Sequence, residues 1–381
     1  MRIVFFVHSV ESCWNNGNAH FLRGVLRALG RRGHDVVAHE PADGWSRTNL
    51  LAAHGTAPLE AFRRRFPDLS VETYAGLPDL DRALHGADVV VVHEWTDPAL
   101  VAAIGRRRAA GGRFVLLFHD THHRAVSDPG AMGDLDLSAF DGVLAFGASL
   151  AEVWRRRGWG ERAFVWHEAA DVSTFRPPAP PVPKRRGLVW IGNWGDGERS
   201  RELEELLFAP AARAGETLRV HGVRYPDEAL HALARHGASW RGWVANADAP
   251  DVFARHVATV HVPRLQYARL LPGIPTIRVF EALACGIPLV STVWRDVEGL
   301  FTPGFDYLVG DTGNEVEAHL AKLAGDPDLS AALAANGLET IRRRHTCDHR
   351  AEELVSIVGR IREGRTAPAA IGDRLLRETA A

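Results

Sequence analysis

Short apolar runs that end at turn-forming residues recur along the chain, with helix-like segments between them. In the first half these runs are almost continuously apolar, as is typical of parallel strands that are covered on both faces. Its predicted strands are MRIVFFVHS, DVVAHEP, ADVVVVHE, RFVLLFHD, FDGVLAFG and RAFVWHEAAD. The segment HFLRGVLRALGRRG carries an apolar stripe at helical spacing, and Gly33 is its predicted stop. The first half therefore predicts a doubly wound α/β domain.

The same alternation returns in the second half, with predicted strands GLVWIGN, TLRVHGV, WRGWV, ATVHVPR, IPLVST and DYLVG. Between the halves, residues 176–187 read RPPAPPVPKRRG, and a proline-rich run of this kind favours an extended linker. We predict a first domain at 1–175, a second at 188–360 and a tail at 361–381. Two doubly wound, Rossmann-like domains predict a cleft that the carboxyl ends of their strands face.

Charge and composition exclude several classes of protein. The 381 residues carry a formal net charge of −2, so no overall field attracts nucleic acid or an anionic membrane. Three scattered cysteines indicate neither a disulfide framework nor a paired-cysteine metal site. The chain shows no signal-peptide pattern and no apolar run of spanning length, which predicts a cytoplasmic protein without a transmembrane segment; peripheral membrane contact stays open. Neither half contains GxGxxG or GxxxxGK[ST], so dinucleotide binding and ATP hydrolysis lose support.

The stretch PTIRVFEALACGIPLVS, residues 275–291, places two charged residues on one face of a predicted helix that starts near Thr276. Free N–H groups at a helix start favour a phosphate, and Gly273 permits close approach of the backbone. Arg278 can bind a diphosphate, and Glu281 can accept hydrogen bonds from two ribose hydroxyls. The alternative is a core-packed helix in which Glu281 pairs with a neighbouring arginine.

Three motifs in this half carry a family resemblance. PTIRVFEALACGIPLVS, GLFTPGFDYLV and RRRHTCDHRAEEL together resemble the CgeB-like, or spore-maturation-type, group of GT-B glycosyltransferases, which is related to the retaining E-x7-E family. The resemblance covers nearly all of the second domain and matches the first only in outline. It implies a donor-binding C-terminal domain, an acceptor-binding N-terminal domain and transfer of a sugar from a nucleotide-diphosphate sugar. The acceptor stays open among a glycan, a lipid-linked sugar, a protein and a small molecule.

The resemblance also assigns roles to residues. Glu281 matches the second glutamate of E-x7-E, which contacts the ribose in that family. The first glutamate, which engages the donor sugar there, falls on Gly273. Its carboxylate is therefore replaced by backbone groups of Gly273, Ile274, Pro275 and Thr276, or is absent, which leaves the donor sugar open.

The loop GNWGDGERSREL, residues 192–203, leaves a strand through three glycines whose backbone amides can approach a ligand. Related enzymes place a basic residue here on the donor phosphates, which implies that role for Arg199, with Asn193 beside it. The alternative for Arg199 is a solvated arginine in a surface turn. Tyr225 and Trp243 follow the next strands and are candidates for base contacts, with packed aromatic residues as the alternative.

In the first half, the loop around Asn16, Gly17 and Asn18, followed by His20, stands at a helix start and suits sugar hydroxyls or a diphosphate. A simple Asn-rich helix cap is the alternative. The related families keep a Gly-rich loop at this place.

Two strands of the first half end in histidine–acid pairs. His93 and Glu94 form a pair at the predicted cleft rim. In related retaining transferases a histidine at the position of His119 sits beside the donor sugar, which implies that role for His119, with Asp120 orienting it. The spacing is not that of an HExxH helix and the retaining GT-B mechanism needs no metal, so no metal site is predicted.

The sequence thus predicts a cytoplasmic GT-B hexosyltransferase that acts with retention, without metal or other cofactor and without a nucleic-acid partner. His119, Asp120 and Arg278 are its candidate catalytic residues. An inverting enzyme with Asp120 or His119 as base, a nucleotide-sugar 2-epimerase and a non-catalytic nucleotide-sugar-binding protein stay open as alternatives.

Overall fold

In the computed structural model the chain forms two compact units. The structure describes residues 1–180, 185–195, 197–292 and 294–364. The first unit comprises Met1–Cys13, Leu22–His167 and the segment that begins at Asp348, and the second unit comprises Trp14–Phe21 and Glu168–Cys347.

The first unit contains a seven-stranded parallel sheet in the order β3-β2-β1-β4-β5-β6-β7. Its strands are β1 (Arg2–Phe6), β2 (Asp35–Pro41), β3 (Ser70–Tyr74), β4 (Val89–His93), β5 (Val115–Asp120), β6 (Gly142–Ala145) and β7 (Ala163–Val165). Each of the six predicted runs contains one of these strands. The edge strand β3 was not predicted, because its residues are exposed or half-buried and lack an apolar run.

Helices connect these parallel strands, as a doubly wound sheet requires. They are α1 (Asn18–Arg31), α2 (Trp45–His54), α3 (Ala57–Arg65), α4 (Leu80–Ala83), α5 (Pro98–Ala109), α6 (Arg124–Ser127), α7 (Pro129–Gly133) and α8 (Ala148–Trp154). A π-helical turn at Arg155–Trp159 and a 3₁₀ turn at Gly160–Arg162 continue α8. The first residues of α1 belong to the second unit.

The second unit contains a six-stranded parallel sheet in the order β10-β9-β8-β11-β12-β13. Its strands are β8 (Leu188–Ile191), β9 (Leu218–His221), β10 (Ser239–Trp240), β11 (Ala258–His261), β12 (Leu289–Ser291) and β13 (Leu308–Val309). The predicted strand WRGWV was mostly wrong. The chain leaves the sheet after Trp240 and adopts a left-handed backbone conformation at Gly242, with φ of 74°.

The helices of the second unit are α9 (Ser200–Leu203), α10 (Ala209–Arg213), α11 (Asp227–Arg235), α12 (Ala249–Ala254), α13 (Leu265–Arg269), α14 (Ile277–Ala284), α15 (Gly313–Gly325) and α16 (Pro327–Arg344). A π-helical turn at Glu204–Phe208 joins α9 to α10, and a 3₁₀ turn at Asn246–Asp248 precedes α12. The last described helix, α17 (Cys347–Arg362), lies on the first unit, where Asp348 is paired with Arg31 and Arg32.

Both sheets reverse their strand order at one point, between β1 and β4 in the first unit and between β8 and β11 in the second. Ligands of open parallel sheets bind outside the carboxyl ends of the strands at such a reversal. The predicted α/β class with two doubly wound parallel sheets is confirmed. Each unit therefore offers one candidate edge for a ligand.

The two units differ from the predicted domain ranges. The chain enters the second unit at Glu168, before the proline-rich run, because the Ala170 N–H donates to the His345 carbonyl and the Cys347 N–H donates to the Ala170 carbonyl, each at 2.9 Å. The loop before α1 belongs to the second unit instead of the first, and from Asp348 onward the helix α17 belongs to the first unit instead of the second. Residues 181–184 of the predicted linker and 365–381 of the predicted tail lie outside the described residues.

Among the residues that the structure describes, no helix is both long and apolar enough to span a bilayer.

A glycine on α16 sets how closely this helix packs against α14. A Cβ atom at Gly337 would lie 2.7 Å from Leu283 Cδ2 and 3.1 Å from the Asp306 carbonyl oxygen. We expect Gly337→Ala to lower the free energy of unfolding by about 1–3 kcal/mol, because the buried Leu283 side chain and the backbone at Asp306 would have to shift. Gly359→Ala is the control, since a Cβ atom there meets open space and alanine favours the helix. Equal effects of the two variants in urea unfolding would contradict this packing.

Candidate functional site

The helix α14 follows β11, as predicted, with Thr276 at its N-cap, although the connection predicted as a loop contains the short helix α13. All its residues except Arg278 are buried. The Thr276 hydroxyl is hydrogen-bonded to His261 Nε2 at 3.2 Å and does not cap the backbone. His261 stands at the end of β11, and its Nδ1 contacts Ser291 Oγ at 2.9 Å. The start of α14 is therefore fixed to the carboxyl ends of β11 and β12.

Glu281 lies on α14 without exposed surface and is surrounded by donors. Its Oε1 contacts His20 Nδ1 at 3.1 Å and accepts from Asn246 Nδ2 at 3.2 Å. Its Oε2 accepts a short hydrogen bond from Arg278 Nη1. These contacts are the arrangement of the alternative interpretation, in which Glu281 pairs with a neighbouring arginine. A ribose that binds Glu281 would have to share the carboxylate with these groups.

The proton of His20 can be assigned from its two neighbours. Nε2 accepts the Asp171 N–H at 2.8 Å, so this nitrogen carries no hydrogen. Nδ1 must then carry the hydrogen and donate it to Glu281. The ring also stacks on Phe175 with 3.7 Å between centroids. His20, predicted as an acceptor-side residue of the first domain, is thus a packed support of Glu281 within the second unit.

Glu168 is a buried acid that the sequence analysis did not select. Its Oε1 accepts a hydrogen bond of 2.9 Å from Asn18 Nδ2, and the carboxyl lies near the backbone N–H of Ile277, the first residue of α14. Burial raises the pKa of Glu168 to about 8, and the charge of Glu281 adds to the effect. The one signal in the sequence was an acid in the second half of the predicted strand RAFVWHEAAD.

The amino end of α14 is therefore already in contact with protein groups. The Glu168 carboxyl lies near the Ile277 N–H, one of the groups predicted to be free for a phosphate. Gly17 packs here as well, because a Cβ atom at that position would lie 2.7 Å from Ile277 Cγ2. Asn16 Oδ1 accepts the Asn18 N–H at 3.1 Å, which is the local turn of the alternative interpretation. This loop belongs to the second unit and not, as predicted, to the first.

Three arginines gather where the second sheet reverses its strand order. Arg199 donates from Nη2 to Asn193 Oδ1 at 2.8 Å and from Nη1 to the Val262 carbonyl at 3.2 Å. Burial, together with the charges of Arg264 and Arg278, lowers the pKa of Arg199 to about 9. Burial and the charges of Arg199 and Arg278 together lower the pKa of His261 to about 3. This edge therefore holds positive charge that repels itself and favours an anion.

The glycine-rich loop shapes the surroundings of Arg199. Gly195 has φ of 94°, and a Cβ atom there would lie 2.6 Å from Arg199 Cγ. Within the described part of the chain, neither Arg199 Nε nor the buried Trp194 Nε1 has a hydrogen-bond acceptor. The Tyr225 hydroxyl donates to the Gly192 carbonyl at 2.9 Å and its ring lies near Trp194, so its contacts are those of a packed aromatic residue.

Gly273 is buried and has a left-handed φ of 87°. A Cβ atom here would lie 2.6 Å from Val297 Cγ2, so the backbone has no room for a glutamate at this position. The same Cβ position lies 3.5 Å from Glu298 Oε1. Ile274 and Pro275 after it are buried.

In the first unit, four predicted residues meet where β4 and β5 end. His93 and His119 are paired across the two strands, and their rings meet edge to face at 5.4 Å between centroids. Burial lowers the pKa of His119 to about 3 and holds that of His93 well below its usual value. Both imidazoles are therefore uncharged at neutral pH. Burial also raises the pKa of Glu94, and the nearby carboxyl of Asp120 contributes.

Glu94 Oε1 accepts from the Thr121 N–H at 2.9 Å and from the Thr121 hydroxyl at 3.2 Å. Among the described residues Oε2 of Glu94 has no partner. Asp120 does not have the predicted contact with His119, because adjacent strand residues point to opposite faces of a sheet. Its carboxylate instead accepts from Trp154 Nε1 at 2.8 Å and from the His122 N–H at 3.3 Å.

An acid at the end of the second strand binds the ribose in dinucleotide-binding sheets. Here that residue is Glu40, which is fully buried and accepts the N–H groups of Val10 and Glu11 at 2.6 and 2.7 Å. The Ser12 hydroxyl donates to the same carboxylate at 2.7 Å. Glu40 therefore holds the loop after β1, and its carboxylate is already engaged by three donors.

No group of three or more His, Cys, Asp or Glu side chains is placed to hold a metal ion anywhere in the described ranges.

His20 should support stability through Glu281. We expect His20→Ala to lower the free energy of unfolding by about 3 kcal/mol, because it removes a donor from a buried carboxylate and an acceptor from the Asp171 N–H. His85→Ala, at an exposed position, should change it by less than about 0.5 kcal/mol. A loss below about 1 kcal/mol for His20→Ala in chemical unfolding would rule out this support.

The raised pKa of Glu168 should make stability depend on pH. Between the ordinary value of 4.5 and about 8, the folded state binds more protons at this group than the unfolded state. The stability of the native protein relative to Glu168→Gln should therefore fall by up to about 1.4 kcal/mol per pH unit across this range and level off above pH 8. Urea unfolding at pH 5, 6, 7 and 8 measures the difference, and a constant difference would exclude the raised pKa.

Comparison with known proteins identifies the fold. Residues 199–356 match the family model described as "Glycosyl transferase-like". Among curated proteins, none matches this sequence. Solved structures with the same architecture include HepE of Anabaena in complex with UDP and glucose, with 15% identity, TM-score 0.64, 94% of this chain and 99% of that one covered.

Two further solved structures share the architecture of the chain at low sequence identity. AviGT4, a glycosyltransferase involved in avilamycin A biosynthesis, has 19% identity and a TM-score of 0.65 over 97% of this chain and 100% of that one. Sucrose-phosphate synthase of Thermosynechococcus elongatus has 14% identity and a TM-score of 0.64 over 96% and 100%. The chain has the GT-B fold of glycosyltransferase structures, and its residues 199–356 match a glycosyltransferase-like family model.

Proposed function

We propose that the protein is a glycosyltransferase that moves a sugar from a nucleotide-diphosphate sugar to an acceptor. The observation that carries the proposal is the group formed by Arg199, Arg264 and Arg278 at the strand reversal of the second sheet. Their mutual repulsion is relieved when an anion binds between them. A diphosphate is such an anion.

The comparisons support this donor class. HepE, which shares the architecture at low identity, binds UDP and glucose in one structure and UDP-glucose in another. In this chain the candidate donor contacts are Asn193, Arg199, Tyr225, the backbone of residues 273–276, Arg278 and Glu281. Glu281 Oε1 is shared by His20 and Asn246, whereas Oε2 accepts from Arg278, so Oε2 is the oxygen that we assign to the ribose.

The chemistry we propose is metal-independent transfer with retention, in a member of the CgeB-like group related to the E-x7-E family. Negative charge develops on the leaving diphosphate as the sugar takes on oxocarbenium character. Arg199 and Arg278 stabilise this charge from fixed positions, so no reorganisation is needed during the reaction. His119 serves the donor sugar in this proposal, and His93 and Glu94 serve the acceptor. Asp120 supports the strand end through Trp154.

A panel of UDP-, GDP-, ADP- and dTDP-sugars tests the proposal even while the acceptor is unidentified. Thermal shift selects the donor, because a bound ligand raises the melting temperature. NMR of the reaction then separates transfer, hydrolysis and epimerisation, and the anomeric configuration of the product decides between retention and inversion. Activity that survives EDTA supports a metal-independent reaction. Accumulation of a 2-epimer would contradict the transferase and show that the protein is an epimerase.

Arg199 should matter far more for turnover than its neighbours on the surface. We expect Arg199→Ala to lower kcat by about 10²–10³, the usual cost of removing one donor to a developing anion. Arg201→Ala is the matched control, because this residue is exposed two positions later and pairs only with Glu205 among the described residues. Turnover of Arg199→Ala within about twofold of the native protein would remove Arg199 from the leaving-group site.

A further inference from the structure

Trp95 in the first unit is a large aromatic residue that remains 46% exposed. It stands two residues beyond the end of β4, and His8 and His122 stand two residues beyond the ends of the neighbouring strands β1 and β5. The ring centroids of His8 and His122 lie 6.4 and 5.4 Å from that of Trp95. Three adjacent strands thus bring one ring each to the place where the first sheet reverses its order, which is where parallel sheets bind ligands.

The indole of Trp95 is fixed in its position. The Arg124 guanidinium covers one face of the ring, with Cζ 4.3 Å from the ring centroid, and Arg124 Nη1 donates to the Glu94 carbonyl at 3.2 Å. The Trp95 N–H donates to His93 Nδ1 at 3.3 Å. Because one face is covered, the exposed area of the indole belongs to the opposite face and the ring edge. A ligand that stacks there finds the ring in place, so little entropy is lost in ordering it.

Hydrogen-bonding groups accompany this apolar ring. Burial lowers the pKa of His8 to about 4, so its imidazole is uncharged at neutral pH and carries one donor and one acceptor. Glu94, the residue before Trp95, is buried, and its Oε2 accepts no hydrogen bond from the part of the chain that the structure describes. A buried carboxyl oxygen without a donor is unfavourable, and a hydroxyl of a bound ligand is such a donor.

A pyranose ring fits this combination of an apolar face and polar neighbours. Its axial C–H groups form a face that can stack on an indole, while its hydroxyls, at the ring edge, need donors and acceptors beside the aromatic ring. An acyl chain would leave the neighbouring polar groups without partners. An anionic ligand is disfavoured, because Arg124 already contacts the indole and lies near the carboxyls of Glu94 and Asp120.

We propose that Trp95 is the stacking platform of the acceptor site and that the acceptor is a carbohydrate, bound through an uncharged pyranose ring. The inference rests on the proposed function, since an acceptor presupposes a transfer reaction. His93 and Glu94, which that function assigns to the acceptor, directly precede Trp95. The platform lies wholly in the first unit, so sugar binding can be measured without a nucleotide.

Saturation-transfer NMR on the full chain, with the methyl α- and β-glycosides of glucose, galactose, mannose and N-acetylglucosamine, tests the inference. We expect at least one glycoside to bind, with the strongest transfer to the axial C–H protons of one ring face. Trp95→Ala should raise the Kd of that glycoside about tenfold or more, because the stacking surface is lost. Trp95→Phe keeps a smaller aromatic face and should raise the Kd only about threefold.

Trp45→Ala is the matched control. Trp45 is 45% exposed and begins α2, which follows β2. β2 lies two strands from β4 in the sheet, about 10 Å at the usual strand spacing, which is too far for one pyranose that stacks on Trp95. This variant should therefore keep the native Kd. Melting curves and UDP titrations of every variant check that each is folded and binds nucleotide like the native protein.

The outcomes separate this inference from the proposed function. If no glycoside binds, or if the Kd is equal for the native protein and Trp95→Ala, the inference is overturned, and intact UDP binding leaves the transferase standing. Phenol, the probe for an aromatic acceptor, would also overturn it by binding more tightly than every glycoside. A protein that binds glycosides through Trp95 but no nucleoside diphosphate would overturn the proposed function, and the acceptor role of Trp95 with it.

Discussion

An ionised carboxylate with no exposed surface must be balanced by donors, and the second unit is built around this requirement at Glu281. Its donors come from three distant parts of the chain: His20, Asn246 and Arg278. Each donor fixes the element that carries it. The loop before α1, the turn before α12 and the helix α14 therefore take their places around one charged group, and the other features of the site follow from those places.

At the strand reversal of the second sheet, by contrast, the positive charge of the arginines exceeds the negative charge of their acidic partners. The buried Arg199 costs desolvation energy, and it lies close enough to Arg264 and Arg278 for their charges to contribute to its lowered pKa. Such a group of like charges does not stabilise the fold, since the pairs Arg264–Glu198 and Arg278–Glu281 neutralise only part of the positive charge of the three arginines. The unbalanced charge lies at the strand reversal, which is where parallel sheets bind ligands.

The sequence was sufficient for the features that depend on local pattern. Buried parallel strands read as apolar runs, and α14 could be placed to within a residue from Thr276 and the apolar positions that follow. The features that it could not supply depend on contacts between distant residues. Asn18 and Glu168 meet across 150 positions, and nothing in either segment indicates the other. The edge strand β3 was missed for a local reason, because it lacks the apolar run that marks a buried strand.

The short segment Trp14–Phe21 belongs to the second unit although it precedes most of the first. In biosynthesis it leaves the ribosome early, yet Glu281, the partner of His20, is made 261 residues later. Until then Asn18 and His20 have no native contacts with α14. The second unit cannot complete its core in the order of synthesis, and a fragment that spans residues 168–347 alone would lack the groups that hold both of its buried glutamates. The two units therefore cannot be obtained by dividing the chain at one point, even though each contains its own parallel sheet.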